Sequence, residues 1–348
     1  MILNGQVILV TGGTGYFGRR FVDMVLSEHT PRKVIVFSRD EYKQYQMRSE
    51  GFDDPRLRYF LGDVRDKDRL YRALDGVDLV VHTAALKQVP ACEYNPIEAV
   101  KTNVMGAANL IEASIDRRVK RVIALSTDKA AAPVNLYGAT KLCADKLFIA
   151  GNSYSGVHET RFSVVRYGNV MGSRGSVVPL YLKLRETGKL PVTDPRMTRF
   201  WITVDHGVRF VLKCAGIMEG GEVFVPKIPS MKIVDLARAV APDCEIEHVG
   251  IRPGEKIHEV LIPEDDARTA VEYDDMFVVL PAFRPEVADK YHEKNGGKPC
   301  PDGFRYTSDA NKDRLTPTDI REILGLDVSE NRYRQTGDVP EVASGQAS

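Results

Sequence analysis

Between Gln6 and about Val170, short runs of β-branched and other apolar residues alternate with stretches whose apolar positions recur at helical spacing. The runs are Val7–Thr11, Val34–Phe37, Leu57–Leu61, Leu79–His82, Val122–Leu125 and Ser163–Arg166. Between them, Phe17–Leu26, Ile97–Ile115 and Leu136–Ala150 are long enough for three or more helical turns. This alternation predicts a parallel sheet with crossover helices. Six strands with right-handed crossovers make a Rossmann-like, doubly wound α/β sheet.

After Met171 the rhythm breaks, and Pro179, Pro191, Pro195, Pro226, Pro229, Pro242 and Pro253 punctuate short mixed elements. The pattern predicts a dinucleotide-binding domain over 1–171, joined by about 204–225, and a smaller mixed α/β substrate domain over 172–203 and 226–328. Residues 329–348 are polar and aperiodic, which predicts a flexible tail.

Composition narrows the class. A chain of 348 residues suggests two domains, and 43% hydrophobic against 28% charged residues, with no apolar run long enough for a span, argues for a soluble globular protein. Lys plus Arg (48) balances Asp plus Glu (48), so no global field draws nucleic acid or an anionic membrane, and any bound anion needs a local site. Cys92, Cys143, Cys214, Cys244 and Cys300 have no metal or disulfide-framework spacing, and residues 1–10 lack signal-peptide character; both predict a cytoplasmic protein without a metal site.

The first predicted strand runs straight into Gly12-Gly13-Thr14-Gly15-Tyr16-Phe17-Gly18 and then a helix. Glycines at 12, 15 and 18 allow a tight turn, close approach of a pyrophosphate, and packing of helix on strand. At the end of the second strand stand Ser38-Arg39-Asp40, with Lys43 one turn on. Arg39 and Lys43 suit the 2′-phosphate of NADP, while Asp40 keeps NAD possible. Asp63-Val64 and Thr83-Ala84 close the third and fourth strands, where adenine and ribose would rest. His82, on a buried strand, reads as a hydrogen-bonded core residue.

The fifth strand delivers Thr127-Asp128-Lys129 at its carboxyl end, and Tyr137 and Lys141 follow at i and i+4 of a helix, on one face. A phenol is a poor base at neutral pH, but nearby cations favour phenolate, which makes Tyr137 a candidate general base. For Lys129 to act as a base its ordinary value must fall by several units, through burial and neighbouring cations, against the Asp128 charge, which raises it unless Asp128 is protonated or turned away.

The glycine turn, Thr127 and Tyr137-x-x-x-Lys141 together resemble the extended short-chain dehydrogenase/reductase superfamily. Within it, Ser126–Ala131, Asn135–Lys141, Arg166–Val170 and Arg252–Lys256 resemble the inverting UDP-N-acetylglucosamine 4,6-dehydratases, which begin pseudaminic-acid synthesis for bacterial flagellin glycosylation. Retaining 4,6-dehydratases carry Thr-Asp-Glu where this chain has Thr127-Asp128-Lys129.

The resemblance implies a lyase using NADP. Tyr137 would take the 4-hydroxyl proton as C4 is oxidised, with Lys141 holding ribose and phenolate. Lys129 would abstract the C5 proton, Asp128 would protonate the departing C6 hydroxyl, and hydride would return to C6. It further implies that Lys87, Asn169, Val177, Val178, Tyr181, Arg199, Arg252 and Glu255 line the nucleotide-sugar pocket, Lys87 also facing the cofactor, and that the chain forms a homo-oligomer, dimer or hexamer. Trp201 reads as a core residue. The competing expectations are a nucleotide-sugar epimerase on the same scaffold and a non-catalytic NADP-sensing protein.

Overall fold

The structure, a computed structural model, describes residues 3–173, 175–282 and 291–326, so the tail expected at 329–348 lies outside the described residues. Its strands are β1 (Val7–Thr11), β2 (Lys33–Ser38), β3 (Leu57–Leu61), β4 (Leu79–His82), β5 (Arg121–Thr127), β6 (Arg161–Tyr167), β7 (Asn169–Val170), β8 (Lys189–Val192), β9 (Thr198–Ile202), β10 (Val223–Pro226), β11 (Ser230–Lys232), β12 (Glu245–His248), β13 (Val260–Ile262), β14 (Ala270–Glu272), β15 (Met276–Val279), β16 (Lys298–Pro299) and β17 (Tyr306–Thr307). Ten of them form one sheet in the order β16-β14-β15-β10-β6-β5-β4-β1-β2-β3.

From β3 to β10 neighbouring strands run parallel. Strands β1 and β4 are buried along their whole length, as expected of strands covered by helices on both faces. The order reverses at β1 and β4, and the crevice outside their carboxyl ends is where doubly wound sheets bind ligands. Residues 270–279, which the broken rhythm assigns to the smaller domain, instead extend this sheet as the antiparallel strands β14 and β15. Their short length and hairpin pairing carry no βαβ signature, so the boundary is more interleaved than the pattern conveys.

Helix α1 spans Tyr16–Glu28 and α2 Glu41–Ser49. The single helix expected over Ile97–Ile115 is broken into Pro96–Ala99, a wider π-helical turn at Val100–Met105, and Gly106–Asp116. That turn carries Asn103, whose side chain accepts from the Leu86 amide and donates to the Leu86 carbonyl, both at 2.8 Å, and donates to Thr140 Oγ1 at 3.0 Å. Asn103 therefore pins the loop after β4 to the helix Leu136–Tyr154.

A second core, with Met171, Val178, Tyr181, Leu190, Trp201 and Leu236 at its centre, lies in the smaller unit. It packs between short sheets made of β11-β9-β7 and β12-β8. Among the described residues no helix is long and apolar enough to cross a membrane.

Candidate active site

The turn after β1 is built from close contacts that only glycine permits. Gly12 has φ +66°, and a Cβ there would stand 2.8 Å from Thr83 Oγ1 and 3.0 Å from the Ala84 amide nitrogen. Thr83 is itself fixed, its hydroxyl donating to the Thr11 carbonyl at 2.7 Å. A Cβ on Gly18 would lie 2.6 Å from Gly13 Cα, so α1 packs directly on the turn. Gly15 caps α1 without a side-chain hydrogen bond, and no acidic residue occupies the first turn, which leaves backbone amides for an anion. This cradle fits a dinucleotide pyrophosphate.

Around it the expected residues divide. Thr14 is buried, and the Tyr16 hydroxyl donates to the Met171 carbonyl at 3.2 Å. Phe17 stacks between Phe21 and Tyr167 and belongs to the core. Ser38 is buried and accepts from Gln44, while Asp40 caps α2 by accepting the Lys43 amide at 3.0 Å and pairs with the Lys43 ammonium at 3.1 Å. Those contacts hold the Asp40 carboxyl below its ordinary value. Asp63 is held by Arg65 through two hydrogen bonds from its side chain, and Val64 is buried against Gly106. Arg39 stays exposed and lines a cleft of about 410 Å³ with Ala85, Leu86, Lys87 and Gln88. Loss of water around Lys87, together with the Lys129 charge, pushes its ammonium down. His82 is buried, bonded to Thr11 Oγ1 at 2.8 Å, and pushed down to about 3 by burial and by Lys141.

At the end of β5, Thr127 caps a single turn, Asp128–Ala130: its hydroxyl accepts the Lys129 amide at 3.3 Å and donates to Asp128 Oδ1 at 2.8 Å. Lys129 Nζ donates to Asp128 Oδ1 at 2.9 Å and to Asn169 Oδ1 at 3.3 Å. Helix α7, counted here after the short helices α3 (Lys67–Ala73), α4 (Val89–Tyr94), α5 (Pro96–Ala99) and α6 (Gly106–Asp116), spans Leu136–Tyr154. Its cap, Asn135, accepts the Gly138 amide at 2.8 Å. Gly138 is required there, because a Cβ would overlap the Lys129 carbonyl oxygen. Tyr137, one residue inside the helix, is buried and hydrogen-bonded with Thr127.

Two electrostatic features bear on the expected roles of Lys129 and Tyr137. Burial would lower Lys129, but Asp128 and Glu259 outweigh it and push the ammonium up, so the unliganded site holds a charged lysine. The Lys129 charge acts on Tyr137 to lower it, but burial still pushes the phenol up to about 12. Lys141 Nζ donates to the Leu125 carbonyl at 2.8 Å, and burial pushes it down against the opposing charge of Asp145.

The smaller unit closes the site from the other side. Arg199 is buried, and its guanidinium donates to the carbonyls of Thr198, Ile257 and Lys256. Arg252 is exposed in a loop closed by Glu255, whose carboxylate accepts the Arg252 amide at 3.3 Å. Asn135 Nδ2 donates to the Gly254 carbonyl at 2.8 Å, and Lys256 Nζ to the Ala131 carbonyl at 2.6 Å, so this loop is docked on the turn that follows β5. Val178 and Tyr181 are buried in the second core, Tyr181 donating to the Pro191 carbonyl at 2.9 Å, and Val177 packs beside them. Trp201 is buried in the same core. The sequence reading missed Glu259, a buried carboxylate facing Lys129, as well as Asn103 and Asp145; none stands in a motif with recognisable spacing.

A family model described as polysaccharide biosynthesis protein matches residues 8–281. The chain belongs to that family. Within the polysaccharide biosynthesis proteins, it is 50% identical over 329 residues to the UDP-N-acetylglucosamine 4,6-dehydratase (inverting) of Campylobacter jejuni, covering 93% of this chain and 98% of that one. It is 39% identical over 328 residues to a UDP-glucose 4-epimerase of Rickettsia canadensis, covering 92% and 95%. The crystal structure of DesIV, a dTDP-glucose 4,6-dehydratase from Streptomyces venezuelae with NAD and TYD bound, superposes with a TM-score of 0.66 at 25% identity, covering 83% of this chain and 97% of that one. The resemblance read from the motifs, the Rossmann-type fold and the expectation of an enzyme are borne out at the level of the family.

Proposed function

We propose that the protein dehydrates UDP-N-acetylglucosamine across C5 and C6 of the sugar, with inversion at C5, to a 4-keto-6-deoxy nucleotide sugar. The observation that carries this reading is the Asp128–Lys129 pair beside Tyr137. It puts an acid and a base, in addition to the tyrosine, at the carboxyl end of β5. C4 oxidation alone, as in an epimerase, needs only the tyrosine. The identity to an inverting dehydratase over nearly the whole of both chains favours the same choice.

A nicotinamide dinucleotide bound in the Gly12 cradle would supply a hydride acceptor for C4 and return that hydride at C6. NADP fits better than NAD: Asp40 is committed to capping α2 and to Lys43, while Arg39 remains exposed at the end of β2 for a 2′-phosphate. Tyr137 takes the 4-hydroxyl proton, helped by the Lys129 charge.

The acid and base states then arise inside the pair. One proton moves from Lys129 Nζ to Asp128 along their 2.9 Å hydrogen bond, leaving a neutral amine and a carboxylic acid. The amine takes the C5 proton, made acidic by the C4 ketone, and the electron pair of that bond forms the C5–C6 double bond. Asp128 gives its proton to the C6 hydroxyl, which leaves as water with the C6–O electrons. The pair is again ammonium and carboxylate, and as hydride adds at C6 a solvent-derived proton adds to C5 on the opposite face, which completes the inverted centre.

The test is incubation with UDP-N-acetylglucosamine and NADP in deuterated water, followed by mass and NMR analysis. The expected product is lighter by one water, carries solvent deuterium at C5 and has the inverted C5 configuration. An unchanged mass with an epimerised C4 would establish the epimerase instead.

A further inference from the structure

Glu259 stands immediately before β13, in the segment that the smaller unit docks against the catalytic turn. It is 3% exposed. Its Oε1 lies 3.5 Å from Lys129 Nζ and 3.7 Å from Arg199 Nε, and its Oε2, 3.8 Å from Lys256 Nζ, has no hydrogen-bond partner. The segment is rigidly placed: the Glu259 amide donates to Ser308 Oγ at 2.9 Å, and its carbonyl accepts the Ser308 amide. A buried carboxylate without full hydrogen bonding costs free energy, and structural salt bridges do not require one beside a reacting lysine.

Among the described residues Lys129 Nζ donates hydrogen bonds to Asp128 Oδ1 and Asn169 Oδ1, and Glu259 Oε1 pairs with its charge at 3.5 Å. When Lys129 becomes a base its positive charge is lost, and the ion pair with Glu259 is lost with it. Arg199 and Lys256 are fixed by backbone carbonyls and face Glu259. With the proton passed to Asp128, Glu259 is the remaining anion of the cluster, and these two cations keep it paired once Lys129 is a neutral amine. Lys87 and the Tyr137 hydroxyl are the other titratable groups that interact with the Lys129 ammonium.

We infer that Glu259 is a positioning residue acting through Lys129: its carboxylate pairs with the ammonium at the end of β5 and sets the pH at which that amine can take a proton. The inference rests on the proposed role of Lys129 as the C5 base.

The experiment measures dehydration rate against pH for the intact protein with NADP, in wild type, Glu259→Gln, Glu259→Asp and Lys129→Met. Thermal melting and NADP titration check that each variant is folded. Removing the negative charge favours the neutral amine, so the rising limb in Glu259→Gln moves at least about one pH unit lower. In Glu259→Asp the limb stays near its wild-type position while the rate falls. A folded, NADP-binding Glu259→Gln whose limb does not move overturns the inference. If Lys129→Met still exchanges the C5 hydrogen with solvent, the base assignment itself fails, which separates the two outcomes. Should Glu259→Gln not fold, Glu259→Asp decides: a limb displaced as far as one unit with the charge retained overturns the inference.

Discussion

Asp128 Oδ1 receives hydrogen bonds from Lys129 Nζ at 2.9 Å and from Thr127 Oγ1 at 2.8 Å, while its other oxygen is buried with no partner. In the proposed dehydration Asp128 is the general acid. Asp128→Asn keeps the size and removes the proton-donating acid. Loss of one general acid corresponds to about 10²–10⁴-fold in rate. Product formation should fall by that factor while NADP affinity, followed by titration, stays at the wild-type level.

Lys129→Ala removes both the base and the cation next to Tyr137. Water loss should be abolished, with NADP binding retained because the Gly12 cradle lies on a different turn. A variant that dehydrates at the wild-type rate would show that Lys129 is not the C5 base.

Burial holds the Tyr137 phenol up at about 12, so at neutral pH it is protonated before a ligand binds. A positively charged nicotinamide brings it down. Ultraviolet difference titration should therefore show one tyrosine ionising at lower pH in the NADP complex, a signal absent from Tyr137→Phe. The same substitution should lower turnover by about 10²–10⁴-fold.

Gly12→Ala forces a side chain into φ +66° and against Thr83 and Ala84. The backbone conformation alone costs about 1–2 kcal/mol. Denaturant unfolding should show at least that loss, and NADP titration a weaker complex, because Thr83 and Ala84 must move away from the turn.

His82 is pushed from its ordinary 6.5 down to about 3 by burial and by the Lys141 charge, so the folded protein excludes a proton that the unfolded chain binds. Stability present above about pH 6.5 is lost as pH falls from there towards about 3, at a slope of about 1.4 kcal/mol per pH unit for this one group. Melting temperatures measured over that window should fall less steeply in His82→Leu than in wild type.

The large sheet was legible because β1, β2, β4 and β5 are nearly continuous apolar runs separated by helical periods. The glycine turn, Thr127, Tyr137 and Lys141 were legible because local spacing fixes them on one turn or one helix face. Glu259 was not: it reaches Lys129 from 130 positions further along, across a contact that only the docking of the smaller unit creates. Asn103 sat inside a helical pattern, and nothing in that pattern reveals the extra residue of a π-helical turn. The Asp128 half of the charge that raises Lys129 was legible from the neighbouring position, whereas the Glu259 half was not.

The hydrogen bond from Asn135 to Gly254 joins residues 119 positions apart. During synthesis, the first six strands and α7 emerge well before the segment that braces them. A nascent chain that has made only the first six strands and α7 therefore lacks the residues that brace the turn after β5 from Gly254 and Lys256.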